Sequence, residues 1–522
     1  MELPPPVMDP PPPVVDLHPV LTPEQLGTIQ GDIWTKGFPK YHETYYFFSI
    51  KTGKASLFSQ RLKVLATQTP PLISSLKKAR DDHNFISMER EKYITAEKLK
   101  GIPKKEIHPP TVPIANALIA FTSKGLKAIQ DDSPSKNLGL LDIEDTDPAF
   151  VAGMSSDKVR TTLNDPATKK WDVLFQSTKI HGLLKIAGSS PEMVKERLMR
   201  IQVTLKHGEA IEDAAPTDSQ VVGWTRPNDR GKEHFGFEDG ISQPRMNGID
   251  SPDPAPEPNM NTAQELLIVT DKTASENQDV RRPAWMQNGS FLVFRKLEQD
   301  VAAFECLTKK YWAATKCESQ EQMGAKLMGR WQSGAPIATF ETKDTADPGK
   351  AKVMNNFVYG AESPCPVSAH IRKTNIREKL DGNEPDQRCR RTRMIRNGIP
   401  YGLDYKGHEN DGSTRGLLFA CYQGHIEDSF QHMQASWSNE PTFRNADFGH
   451  DPIIGQVPDS SEGKPGKLKT SFLGSDKSLQ TVEFAPLVTL KGGEYFFVPP
   501  ISALSTPLGS DAPATGPSTR TA

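Results

Sequence analysis

Runs of aromatic and β-branched residues, each long enough for one strand and each followed by apolar residues at helical spacing, recur along most of this chain. Glu43-Thr-Tyr-Tyr-Phe-Phe-Ser-Ile50 is the first, and Leu57, Phe58, Leu62 and Leu65 behind it share one helical face. Asn116 to Phe121 then runs into a segment around Lys124 to Ile129, and His181 to Ala187 into a helix near Pro191 to Leu205. In the second half Ser290 to Arg295 precedes a helix opening at Gln299 to Phe304, and Gly416 to Tyr422 precedes a helix through Trp437. Strands alternating with amphipathic helices predict a mixed α and β protein. Their similar order in the two halves predicts a duplicated α+β architecture with a cleft between the halves, without a sequence repeat of fixed period.

The connections carry their own signals. Residues 1–20 form a proline-rich arm, with Pro4 to Pro6 and Pro10 to Pro13, which is expected to be extended because proline enters neither helix nor sheet ladders. Thr22-Pro23-Glu24-Gln25 has the form of a helix start, with Thr22 as cap, Pro23 at the first position and Gln25 reaching back. Ser251 to Pro258 alternates with proline and marks a boundary or a long surface excursion. Near the end, Leu487 to Leu490 and Glu494 to Val498 flank Gly492-Gly493, which predicts a hairpin. The tail after Pro500, rich in Ser, Thr, Pro and Gly, is expected to be disordered.

Charge narrows the partners. With 63 Lys and Arg against 65 Asp and Glu the formal net charge is −2, so no broad attraction to nucleic acid or to an anionic membrane is implied. The five cysteines (Cys306, Cys317, Cys365, Cys389, Cys421) are an odd number without Cys-x-x-Cys spacing, which makes reduced thiols the expectation. The N-terminus lacks the basic start and apolar run of a secretory signal, and no stretch has the length and apolar character of a membrane span. A soluble, cytoplasmic protein is expected, with unconventional export left open.

Gly236-Phe-Glu-Asp-Gly-Ile-Ser-Gln-Pro244 holds the carboxylate Asp239 between glycines, though an Asp-Gly turn by itself usually only reverses the chain. His370 stands in a Pro-x-x-x-His segment followed by basic residues, where an imidazole can bind a metal or lie in a solvated loop. Arg388-Cys-Arg-Arg-Thr-Arg-Met-Ile-Arg396 follows the acidic run Asp381 to Asp386. Four of its five arginines read as a solvated face, whereas Arg396 precedes a turn, Asn397 to Gly402, that would end a strand at a cleft. One imidazole, one arginine and one carboxylate, without zinc spacing or a nucleophile elbow, fit haem better than hydrolysis.

The stretch Gly236 to Pro244 resembles the Gly-x-x-Asp-Gly signature of the dye-decolourising peroxidases, and the likeness runs over most of the chain. Ile29-Gln-Gly-Asp-Ile33, Gly289 to Arg295, His370-Ile-Arg, Ile395 to Gly402, Gly416 to Gln423, Asp451 to Gln456 and Glu494 to Pro499 resemble family segments in the same order. The resemblance implies two ferredoxin-like domains with antiparallel sheets and peripheral helices, divided as 21–245 and 246–500 between the arm 1–20 and a disordered tail 501–522. It implies haem b held in the C-terminal half, with His370 as the iron ligand, Asp239 as the acid and base opposite, and Arg396 beside it. Asp451 is the expected carboxylate behind the histidine, with Glu440 as the alternative. Arg377 is expected to hold a propionate, and Leu417 and Phe419 to wall the reacting side. Tyr401 and Trp437 match positions of oxidisable aromatics that carry electrons from bulky donors, although core packing is an equal reading of Trp437.

The implied activity is the oxidation of dyes and phenolic or other aromatic donors by hydrogen peroxide, in one-electron steps through a ferryl intermediate. One group that takes a proton from peroxide and returns it to the departing oxygen suffices for the first step. A carboxylate, with a reference pKa of about 3.9, is in its basic form at acidic pH where histidine is not, so activity below neutrality is expected. Glu238, next to Asp239, is expected to turn away from the haem by strand alternation. The alternative from another class is a haem-binding or haem-handling protein without turnover, which would need His370 but neither Asp239 nor Arg396.

Overall fold

The computed structural model describes residues 22–103, 106–131, 137–215, 217–246, 249–250, 260–261, 266–268, 282–312, 315, 317–345, 355, 357, 359, 363–377, 392–407, 411–443, 448–458, 466–473 and 479–509. The proline-rich arm, the alternating-proline loop, the run Asp381 to Asp386 and the arginines at 388, 390 and 391 lie outside the described residues. The first element follows its sequence signal. Thr22 Oγ1 accepts from the Gln25 N–H, the Gln25 side chain accepts from the Thr22 N–H, and the helix Pro23–Thr28 begins.

In the first half, strands β1 (His42–Ile50), β2 (Ala115–Phe121), β3 (Gly182–Gly188), β4 (Ile211–Asp213) and β5 (Gln220–Trp224) form an antiparallel sheet in which β3 lies between β2 and β1, and β4 and β5 share the far edge of β1. A short parallel pair, β6 (Arg245–Met246) and β7 (Met260–Asn261), lies at the passage to the second half. There β8 (Ser290–Gln299), β9 (Ile395–Arg396), β10 (Ile399–Tyr401) and β11 (Gly416–Gln423) build a second antiparallel sheet. A separate pair, β12 (Leu468–Leu473) and β13 (Leu479–Phe484), precedes the long strand β14 (Val488–Val498) on the other side of β8.

The two sheets are one. Phe497 of β14 pairs with Phe121 of β2, giving a ten-stranded sheet whose main path runs β10-β11-β8-β14-β2-β3-β1-β4. Three strands separate β8 from β1 in that order, yet the rings of Tyr45 and Phe294 lie 4.7 Å apart and those of Phe47 and Phe294 5.3 Å apart. The sheet therefore rolls until its faces meet, and at the far seam a side chain on Gly223 of β5 would strike Ile399 and Pro400 of β10. Side chains alternate along each strand. With Phe294 turned inward, Arg295, Leu297 and Gln299 turn outward, beside Phe419 and Leu417 of the paired β11. That outer face carries the site.

Two expectations fail near the C-terminus. Gly492-Gly493 does not turn a hairpin, because β14 runs through both glycines along β8 with a register shift between Leu490 and Gly492. The glycines are needed for close approach: a Cβ at Gly492, whose φ is +134°, would sit 2.3 Å from the Phe175 ring, and one at Gly493 2.3 Å from the Phe294 carbonyl. The chain after Pro500 is not all tail either. Ile501–Ser505 is a helix that buries Ala503 and Leu504, with Leu508 buried just after it, because these apolar side chains find a surface on the helix Ala55–Thr67. Among the described residues no helix is long and apolar enough to cross a membrane.

Candidate active site

One wall of the cavity is built around His370. It opens the short helix His370–Thr374, and its Nδ1 lies 2.8 Å from Oδ2 of Asp451. Asp451 is fully buried, and its Oδ1 accepts from the N–H groups of Ile453 at 2.8 Å and Ile454 at 3.1 Å. With Nδ1 committed, Nε2 is the nitrogen the ring can offer the cavity. Glu440 stands elsewhere: its carboxylate accepts from the Thr442 hydroxyl and N–H, and its backbone carbonyl accepts from Lys373 Nζ of this helix at 2.8 Å.

The opposite wall is the segment from Glu233 to Pro244. Gly236 and Gly240 both take positive φ, 91° and 79°, which ordinary residues resist, so this stretch is a double turn rather than a strand. Strand alternation does not apply to it: Glu238 and Asp239 both border the cavity, and the Glu238 carboxylate lies beside Gly231. Asp239 accepts from the Gly240 N–H at 2.6 Å and is exposed on its other side. Arg396, from β9, brings Nη2 to 4.0 Å from Asp239 Oδ1, with both side chains partly open to solvent. Gln243 ties the turn to β9: its amide oxygen accepts from the Arg396 N–H at 3.0 Å and its NH2 donates to the Arg396 carbonyl.

Glu233 organises the turn from its N-terminal side. Its carboxylate accepts from the N–H groups of Phe235 at 2.8 Å and Phe237 at 2.9 Å and from the Gln299 amide. Burial pushes this carboxyl above its ordinary value, the three donors oppose the shift, and the charge of Asp239 adds to it. Nothing in composition singles out Glu233, whose importance comes from the turn folding back on it. His234 beside it is buried, and burial pulls its imidazole down to about 4 while its Nε2 bonds the Tyr401 carbonyl at 2.8 Å.

Between these walls Leu417 and Phe419 line the cavity from β11, with Met433, Ile453, Ile454 and Leu490 around them, and about 220 Å³ is left for the centres of water-sized molecules. Arg295, paired with the buried Asp165, lies over Phe430 at 5.3 Å. Arg330 and Arg393 reach the lining, whereas Arg377 stands behind it, donating to Ser242 Oγ at 2.9 Å and to Asn355 Oδ1 at 2.6 Å. Arg330 is buried and also bonds Ser242 at 3.1 Å; a lone arginine between Leu327, Met328 and Trp331 was its sequence signal. Tyr401 and Trp437, expected as routes for electrons, are both buried and outside the cavity lining. Lys296 Nζ lies 5.2 Å from the Tyr401 ring, and Trp437 stacks on Phe443 at 5.5 Å with His432 at 5.4 Å.

Residues 28–226 match the sequence profile described as the DyP dimeric alpha+beta barrel domain, and residues 256–447 that of the Dyp-type peroxidase, C-terminal. A dye-decolorizing peroxidase of Auricularia auricula-judae is 32% identical over 499 residues, spanning 91% of this chain and 85% of that protein. This chain belongs to the dye-decolourising peroxidase family. A second dye-decolorizing peroxidase, from Mycetinis scorodonius, is 33% identical over 513 residues, spanning 92% and 87% of the two chains. Among solved structures, an ancestral D-type dye decolorizing peroxidase superposes with a TM-score of 0.74 at 34% identity, covering 93% of this chain and 99% of that one. A dye-decolourising peroxidase is an enzyme that uses haem and hydrogen peroxide, and this chain is one.

The residues present fit that cofactor. Haem iron asks for one imidazole nitrogen, and the cavity presents a histidine whose other nitrogen is already bound. The porphyrin asks for apolar faces, and Leu417, Phe419, Met433, Ile453 and Leu490 offer them; its carboxylates ask for cations, and Arg330 and Arg393 border the cavity with Arg377 behind it. Among the described residues no group of three or more His, Cys, Asp or Glu could hold a bare metal ion.

Proposed function

We propose that Asp239, Arg396 and His370 carry the peroxidase reaction, that the cofactor is haem b, and that dyes and phenolic or other aromatic compounds are its electron donors. The observation that supports this most is the facing of Asp239 and Arg396 across one cavity from a histidine whose Nδ1 is bonded to a buried aspartate. Haem, when bound, supplies iron that accepts oxidising equivalents from peroxide and releases them one electron at a time. His370 holds it through Nε2, and Asp451 fixes the tautomer and strengthens the imidazole as a donor. Asp239 takes the proton from one oxygen of H2O2 and delivers it to the other, which leaves as water when the O–O bond breaks. The Arg396 guanidinium stays charged throughout and stabilises the negative charge that develops on oxygen during cleavage.

Arg330 and Arg377, both on Ser242, are the proposed partners of the haem carboxylates, with Arg330 the nearer to the cavity. Leu417 and Phe419 shape the reacting side. Tyr401 and Trp437 act, in this reading, as internal relays rather than contact points, since a bulky dye reaches neither. The proposed division at residues 245 and 246 assigns the His370 wall to the C-terminal half and the turn from Glu233 to Pro244 to the end of the N-terminal half. A haem-handling role without turnover requires neither Asp239 nor Arg396, and it is not favoured. The test is the rate of peroxide consumption by haem-loaded protein in wild type and Asp239→Asn. A roughly 10²- to 10⁴-fold loss is expected for removal of a general acid and base. An unchanged rate would remove Asp239 from the mechanism.

A further inference from the structure

Inside the rolled sheet, on the face opposite the cavity, lies a cluster of charges with almost no access to water. Lys185 of β3 is fully buried, with Nζ 2.6 Å from Asp32 and 3.0 Å from Glu43 of β1, both also fully buried. Lys40 Nζ bonds Glu43 at 2.7 Å, the Tyr45 hydroxyl donates to Glu43 at 2.8 Å, and the Tyr422 hydroxyl donates to Asp32 at 2.5 Å. Two cations balance two carboxylates, and each carboxylate also receives a phenol. Burial pulls the Lys185 amine down, and the two carboxylates more than offset it, leaving it above its ordinary value. Such a network is costly to assemble and is not needed for a stable core, since apolar residues of similar volume serve a core at least as well.

Its connections point to the cavity. Lys185 Nζ and Lys40 Nζ both donate to the carbonyl of Asn397, at 2.8 and 3.0 Å, and Lys40 also to that of Gly398 at 3.1 Å. The Asn397 amide donates back to the carbonyls of Asp32 at 2.7 Å and Trp34 at 2.9 Å. Asn397 directly follows Arg396, whose own N–H and carbonyl are clasped by Gln243 from the cavity side. The backbone carrying Arg396 is thus held from both faces of the sheet: by the signature turn outside, and inside by groups that all come from the first 185 residues.

We propose that the Lys40–Glu43–Lys185–Asp32 network is a positioning device for Arg396, through which the N-terminal half sets the geometry of the peroxide step. Lys185 and Lys40 are positioning residues; neither lines the cavity. The proposal rests on the reading of Arg396 given above, and a double-mutant cycle separates the two. Lys40→Met removes donors to the Asn397 and Gly398 carbonyls while leaving Lys185 paired, and Lys185→Met removes the centre of the network. Each is made in wild type and in Arg396→Leu, and each haem-loaded protein is assayed for peroxide reaction rate, for fluoride affinity of the ferric form and for rate of phenol oxidation. Lys40→Met should weaken both the peroxide reaction and fluoride binding by about tenfold and leave the phenol step alone, and the loss should vanish when Arg396 is already leucine. Lys185→Met should do the same more strongly; if it fails to fold, Lys40→Met decides. Equal losses in both backgrounds, or no loss in a folded Lys40→Met, would overturn the proposal. If Arg396→Leu alone leaves peroxide rate and fluoride affinity unchanged, the reading of Arg396 fails and the proposal falls with it.

Discussion

On one side of the cavity His370 Nδ1 lies 2.8 Å from an aspartate that is fully buried and has its second oxygen bound by two backbone N–H groups. On the other, Arg396 of β9 and Asp239, the latter on a turn whose two glycines have positive φ, approach only to 4.0 Å, each partly open to solvent. The first wall spends its hydrogen-bonding capacity on itself. The second leaves lone pairs and a charge available. An iron ligand must keep one nitrogen aimed at one point, so its partners should be satisfied and dry. A group that takes and returns a proton needs room for a substrate and an oxygen atom not already in use. The contrast is what a peroxidase requires of its two sides.

The strongest way to break the comparison is to remove His370, the ligand proposed for the packed wall. His370→Ala should abolish the Soret band of protein mixed with haemin, or weaken haem affinity by at least about 100-fold, while Asp239→Asn leaves loading intact. Equal loading in the two variants would mean that the packed wall is not where the iron is held.

Trp437 sharpens the comparison from behind that same wall. It stacks on Phe443, over which Lys373 of the His370 helix is placed, so a route through it would give the packed wall a second task. Trp437→Phe should slow oxidation of a large dye severalfold more than oxidation of a small phenol, checked by steady-state kcat on both donors. Equal slowing would reduce Trp437 to core packing.

The smallest expected effect is on stability and falls behind the open wall. Burial holds His234 neutral in the fold down to about 4, whereas in the unfolded chain it takes its proton near 6.5. Between those values the unfolded state binds the extra proton, so the contribution of this residue to stability is present above 6.5 and is lost as pH falls towards 4. His234→Gln, measured by thermal unfolding, should flatten the acid side of the stability profile over that interval. A profile as steep as wild type would place the acid sensitivity elsewhere.

How much of this was legible in the sequence depended on distance along the chain. The Thr22 cap, the strands β1, β2 and β3 and the turn at Asp239 are local, written in a few adjacent residues, and they fold as read. His370, Asp239 and Arg396 stood in motifs and meet at one cavity, and the choice between Asp451 and Glu440 needed only one distance. Gly492-Gly493 misled because a pair of glycines serves a turn and a crowded strand equally, and only Phe175, over 300 positions earlier, tells them apart. The Ile501–Ser505 helix hid behind a tail composition. Arg330, which borders the cavity, went unnoticed because sequence shows charge and not which guanidinium reaches a lining. The ions at Lys185, Asp32 and Glu43 carry no mark as a set, since Lys185 on β3 and Asp32 on the loop before β1 are brought to 2.6 Å from 153 residues apart.

The central claim is that the two walls have separable tasks, one setting the iron and the other moving the proton. It is tested most directly by measuring the ferric–ferrous reduction potential and the peroxide reaction rate on the same haem-loaded preparations of wild type, Asp451→Asn and Asp239→Asn. Losing the Asp451 carboxylate weakens His370 as a donor, so Asp451→Asn should raise the potential, while Asp239→Asn should leave the potential where it is and slow the reaction with peroxide by orders of magnitude. A potential that moves in Asp239→Asn, or one that stays fixed in Asp451→Asn, would contradict that division of labour.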